Sequence, residues 1–230
     1  MSHEARVSFL SGVRLGLPYA AVGSVLSLSF GVLAREAGFS PLQAIATAML
    51  VFAGSAQFAA LAVLTGGGSA AAAVAAGTLM NGRFLAMGIA LAPSLSGGPV
   101  QRGAQGQAVV DASWALANRG DGTFDRWQLF GTTAPQYITW ALGTIVGVFA
   151  GDVIGDPARL GLDAIYPTFF LALLLAELRD RRSRTVAAVG GLIALALVPF
   201  TPAGVPILAA AAASLIGLAQ PATDQEDGAS

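Results

Sequence analysis

The chain has 230 residues, 55% hydrophobic and only 11% charged, with a formal net charge of -1, where an ordinary soluble domain is about 25% charged. Its mean hydropathy of +0.69 and its 29 Gly are the balance of a chain whose surface faces lipid and other helices, so the fold class is an all-α, polytopic integral membrane bundle. All 12 cationic residues are Arg, Cys is absent and the single His is His3, which excludes a P-loop or Schiff-base lysine and a thiolate nucleophile, leaves no ordinary zinc or haem site, and offers no basic field to nucleic acid.

A helix needs roughly 20 apolar residues to cross a hydrocarbon core. About seven transmembrane segments are predicted, at 12–34, 42–65, 69–95, 129–151, 160–178, 185–200 and 203–218. Residues 1–11 precede them as an N-terminal tail, 12–218 make one membrane domain, and 219–230, acidic and without an apolar face, read as a disordered tail. The first segment reads as a span and not a cleaved leader, since Glu4 sits ahead of it and no cleavage site follows.

Segment two holds Phe52-Ala53-Gly54-Ser55-Ala56-Gln57-Phe58 near its middle. Either Ser55 and Gln57 bond neighbouring helices while Gly54 permits close packing, or the helix breaks there. A break exposes N–H and C=O groups and is tolerable only where it lines a cavity or is buried in protein. Segment three holds Asn81-Gly82-Arg83, which puts a guanidinium near the bilayer midplane at a cost of at least about 2.5 kcal/mol. Such an Arg must face a cavity, an acid or carbonyl groups.

Residues 96–128 form the longest polar stretch, with a short helix predicted over 107–118 as a re-entrant or interfacial piece. Within it Asp111 is flanked by Val109, Val110 and Trp114. It is the candidate partner of Arg83, the alternative being an N-cap of the short helix. In segment four, Gly143, Gly147 and Gly151 fit close helix packing, and Pro135, Tyr137 and Trp140 read as interfacial. Asp163 opens segment five as a helix start or interfacial acid. Asp111 and Asp163 lack the sequence surroundings of an intramembrane aspartyl protease. Arg179, Arg181, Arg182 and Arg184 assign their connection to the cytoplasm by the positive-inside rule, which sets the N-terminus outside and the C-terminus inside.

Together these residues resemble the AzlC family, the large subunit of bacterial branched-chain amino acid exporters. The resemblance rests on Phe52-Ala53-Gly54-Ser55-Ala56-Gln57-Phe58 followed by Asn81-x-Arg83, supported by Phe30-Gly31, Ala37-Gly38, Asp111-x-Ser113 and Leu160-Gly161-Leu162-Asp163. Phe84, Ala112 and Trp114 depart from the family pattern, which tends to have His, Glu and Phe at those places. The resemblance implies a multi-pass protein of the bacterial inner membrane, paired with a small AzlD-type membrane subunit, that exports branched-chain or related small apolar amino acids and is not an enzyme.

A zwitterionic amino acid needs partners for a carboxylate, an ammonium and a hydrocarbon group. The expected substrate-binding residues are Gly54, Ser55, Gln57, Asn81, Arg83 and Asp111, with Arg83 and N–H groups near Gly54 and Ser55 on the carboxylate. Asp111 is expected on the ammonium or carrying the coupling proton, and Phe58, Phe84 and Trp114 lining the side-chain pocket. No cofactor is expected, and coupling is expected to the proton gradient. The alternatives are a scaffold subunit whose partner forms the pathway, or a transporter of a different small metabolite.

Overall fold

A computed structural model describes residues 1–154, 161, 164–178, 180–202 and 204–213; Asp163, Arg179 and the acidic tail lie outside them. The described residues form helices α1 (His3–Glu36), α2 (Pro41–Val51), α3 (Gly54–Thr65), α4 (Ala70–Leu91, continued by a 3-10 turn over Ala92–Ser94), α5 (Pro99–Gly106), α6 (Asp111–Ala117), α7 (Arg126–Ile154), α8 (Ile165–Glu177), α9 (Arg181–Leu197) and α10 (Val205–Ala211). The fold is all-α; the described residues hold no strand, only an isolated bridge between Asn118 and Phe124.

Local sequence sets the helix starts. Ser2 and Ser69 accept the N–H groups of Ala5 and Ala72, and Ser40 with Gln43 forms a capping box ahead of Pro41, each satisfying donors that a helix start leaves open. Capped by Ser2, α1 is helical from His3, so the stretch ahead of residue 12 belongs to the same helix as the first segment. Segment two is two helices, α2 and α3, and α5 had no counterpart in the sequence reading.

The helices α1 and α7 form the spine. Along their seam the backbones touch: a Cβ placed on Gly12, Gly16 or Gly31 would overlap the carbonyl oxygens of Gln128, Thr132 and Thr144, and one on Gly147 would overlap that of Leu28. Gly143 leaves room for the Ser27 side chain and lies close to the Ser24 carbonyl, so the spacing of Gly143 and Gly147 reads correctly as packing. The α6 segment is tied to this spine, since Thr133 Oγ1 donates to Ala108 O at 2.6 Å and Gln128 Nε2 to Leu116 O at 2.9 Å. The polar stretch is therefore folded onto the bundle.

Two helical units, His3–Glu36 and Ala70–Ser94, are each long and apolar enough to cross a membrane. Val22, Val25, Val74, Leu85 and Ile89 on them are exposed, the surface that a bilayer covers.

Candidate functional site

The broken helix organises the site. Between α2 and α3, Phe52 takes left-handed dihedrals of φ 38 and ψ 45, a region that costs a bulky residue of order 1–3 kcal/mol. The carbonyls at the end of α2 are satisfied by side chains from three places. Gln57 Nε2 donates to Thr47 O at 3.3 Å, Tyr137 OH donates to Met49 O at 3.2 Å, and Gln107 Nε2 donates to Leu50 O. These bonds hold a geometry that backbone preference alone would not keep.

On the other side of the break, α3 starts without a side-chain cap. Trp140 lies against it: a Cβ on Gly54 would stand 2.7 Å from the Trp140 Cη2 atom, and Trp140 Nε1 donates to Gln57 Oε1 at 3.2 Å. Tyr137 meets Phe52 edge-on with ring centroids 4.8 Å apart. The interfacial reading of Tyr137 and Trp140 is thus corrected, because both rings turn inward to support the break. Both readings of the Phe52–Phe58 stretch hold at once, a break together with cross-helix bonds and close packing at Gly54.

A cavity of about 440 Å³ opens at the α3 N-terminus, lined among others by Gly54, Ser55, Arg83, Phe84, Asp111 and Trp140. That volume falls within the roughly 300–1,000 Å³ of small-molecule sites. Arg83, on α4, donates from Nη2 to Asp111 Oδ2 at 2.8 Å and to Ser55 Oγ at 3.2 Å. Its guanidinium also stands 5.1 Å from the Phe84 ring centroid, a cation–π distance. Its Nε is buried with no partner among the described residues. Asp111 is the first residue of α6 but does not serve as its cap. Ser113 Oγ instead accepts the Val110 N–H at 3.0 Å, which leaves the Asp111 carboxylate to Arg83. The pair is open to the cavity, with the Arg83 side chain 36% and that of Asp111 60% exposed.

The cavity gathers Gly54, Ser55, Arg83, Asp111 and Phe84, and the other expected site residues lie elsewhere. Gln57 is 2% exposed and bonded to Thr47 and Trp140, so it is part of the break's frame. Phe58 is fully buried, edge-on to Phe30 at 6.1 Å, and belongs to the core because it points to α1. Trp114 packs on Phe124 and donates to Met87 O at 3.3 Å, so it braces α6 against α4. Asn81 lines a different cavity, with Oδ1 buried and unpartnered among the described residues. Sequence reasoning missed Phe52 as the hinge of the break and Trp140 as its support. The signal for Trp140 was its spacing from Gly143 and Gly147, which puts it on the helix face that meets α1.

Residues 18–154 match the AzlC protein family. The chain is 27% identical over 206 residues to "Inner membrane protein YgaZ" of Escherichia coli strain K12, covering 83% of this chain and 82% of that protein. It is 30% identical over 208 residues to an uncharacterized membrane protein of Archaeoglobus fulgidus, covering 89% and 91%. It is also 23% identical over 197 residues to "Branched-chain amino acid transport protein AzlC" of Bacillus subtilis strain 168, covering 84% and 77%. No solved structure matches the chain.

Proposed function

This chain belongs to the AzlC family, and from that premise we propose that it is a secondary transporter of the bacterial inner membrane that exports branched-chain or related small apolar amino acids. The observation that carries the reading is the Arg83–Asp111 pair at 2.8 Å, standing in a cavity at the uncapped start of α3. An amino acid zwitterion carries the complement of that pair. Its carboxylate takes the place of Asp111 on Arg83, with the Ser55 hydroxyl and the positive end of the α3 dipole on the same side. Its ammonium meets the released Asp111 carboxylate. The apolar side chain is left to the hydrocarbon part of the cavity, formed by Phe84, Trp140 and Leu26.

Exchange of one ion pair for two keeps each charge matched, which limits the desolvation cost of a site within the membrane. Protonation of Asp111 removes the ammonium's partner, and this is how we couple transport to the proton gradient. The relative named as a branched-chain amino acid transport protein supports the cargo, and the one named as an inner membrane protein supports the location. A small AzlD-type membrane subunit completes the exporter in this proposal.

The test is efflux of preloaded radiolabelled leucine from cells expressing the chain with and without the small subunit encoded beside it. Efflux is expected to be lost in Arg83→Ala at equal membrane abundance. Asp111→Asn leaves the ammonium without its charged partner at every pH, and is expected to exchange leucine far more weakly and without responding to a pH gradient. Normal efflux by Arg83→Ala would remove the carboxylate role from Arg83.

A further inference from the structure

A second cavity, of about 400 Å³, lies behind the broken helix and is lined by Asn81, Gly88, Leu91 and Leu95 on one side and by Arg102 and Gln107 on the other. Phe52, Ala53 and Phe84 line both cavities. They are therefore the wall between them. A helix turns roughly 100° per residue, so Arg83 stands on the α4 face toward the first cavity while Asn81, Gly88 and Leu91 stand on the face toward the second. Phe84 falls on that second face, between Leu91 and Gly88, yet it lines the first cavity as well.

The members of this wall differ in freedom. Phe52 is buried and stacked edge-on to Tyr137, and Ala53 has no side-chain rotamer to change. Phe84 is only partly buried and its ring lies under the Arg83 guanidinium. Arg83 is also the group that gives up Asp111 when a zwitterion binds, so the event that fills the first cavity acts on one of the contacts that hold Phe84, the others being its packing against the cluster of Leu91, Leu95 and Val109. Across the wall, the buried Oδ1 of Asn81, without a partner among the described residues, is a hydrogen-bond acceptor in need of a donor, which an ammonium supplies.

We propose that Phe84 is the gate between two halves of a single transport pathway, and that the second cavity is the station beyond it, with Asn81 accepting from the ammonium. The gate rests on the transporter reading alone, and the role of Asn81 rests also on a cargo that carries an ammonium. The native chain contains no Cys, so single cysteines can be placed in it without prior substitutions. Ala112→Cys marks the first cavity. Gly88→Cys marks the second, where an added Cβ meets no atom within 4 Å.

Each variant is treated, in right-side-out and inverted membrane vesicles, with a charged thiol reagent that does not cross the bilayer. Ala112→Cys is expected to react from one side and Gly88→Cys from the opposite side. Adding Phe84→Ala is expected to abolish that sidedness for both, and adding Phe84→Trp to retain it. Reaction of both single cysteines from the same side overturns the proposal without any change at Phe84, as does unaltered sidedness in a Phe84→Ala protein of normal abundance. The labelling needs no substrate, so opposite sidedness without leucine transport keeps the gate and discards the amino acid reading. Leucine transport with same-side labelling does the reverse.

Discussion

At the scale of single residues, the site depends on contacts in which one atom has no room to move. Gly54 is such a place, because its neighbour is the rigid six-membered ring of Trp140 at 2.7 Å from a built Cβ. Gly54→Ala is expected to destabilise the protein by about 1–3 kcal/mol, the usual range for overpacking. The cost of Gly54→Ala should shrink in a Trp140→Phe background, where the clashing atoms are gone. Thermal unfolding of the four proteins of this cycle in detergent checks it, and additive effects would show that Trp140 is not what fills the space at Gly54. Phe52 shows the opposite case: a bulky residue keeps a left-handed conformation because the surrounding side chains determine it. Its strain is held by the bonds of Gln57, Tyr137 and Gln107 to the α2 carbonyls.

Among elements, α7 shows how a helix end is fixed beside the site. Asp125 Oδ1 accepts the N–H groups of Trp127 and Gln128 at 3.0 and 3.1 Å, and its Oδ2 meets Arg119 Nη2 at 3.1 Å. Burial pushes the carboxyl up, but the Gln128 N–H, the Ser8 hydroxyl, the Arg119 guanidinium and the Trp127 N–H together outweigh it and hold Asp125 below the ordinary carboxylate value. A depressed carboxylate stabilises the fold fully above its unfolded pKa, and that contribution is lost as pH falls through the folded one. Asp125→Ala is therefore expected to cost about 1 kcal/mol near neutral pH, and the gap between variant and native protein should close below about pH 4. Unfolding measured across pH checks both parts. How far elements could be read from sequence follows the same physics. The break was legible only as one of two readings, because Gly and Ser in an apolar run serve close packing as readily as a break, and the Arg83–Asp111 pair was legible because a charge in such a run must find a partner. Phe58 and Trp114 were misplaced because an aromatic residue in a membrane helix looks alike whether it faces lipid, core or cavity. The α5 helix escaped because its eight residues are mostly Gly and polar side chains, too short and too polar a run to stand out from a loop.

For the whole molecule, the site is a junction of segments distant in sequence: α1, the α2–α3 break, α4, α6 and α7 all line the first cavity. A ligand that spans Arg83 and Asp111 binds this assembled state and no unfolded one. Leucine at about 100 times its Kd is then expected to add about 2.7 kcal/mol of stability, visible as a rise in Tm of the purified complex. Arg83→Lys keeps the charge but loses the planar fork, and should need about tenfold more leucine for the same rise, the equivalent of about 1.4 kcal/mol. An equal response in the two proteins would place the ligand away from Arg83. The glycine seam of α1 and α7 bears on how the molecule is made. The chain leaves the ribosome from its N-terminus, and the end of α1 at Glu36 and the start of α7 at Arg126 are 126 − 36 = 90 residues apart. At the usual 5–20 residues per second of synthesis, α1 waits roughly 5–20 s for the helix whose backbone fits its own along the glycine seam. Throughout that interval its bare glycine stripe faces lipid or the insertion machinery, and α2 to α6 must enter around a helix not yet docked. The first cavity, which needs Gln136 and Trp140, is consequently among the last parts of the protein to exist, and a nascent chain released before α7 emerges would carry the signature residues without a pocket to put them in.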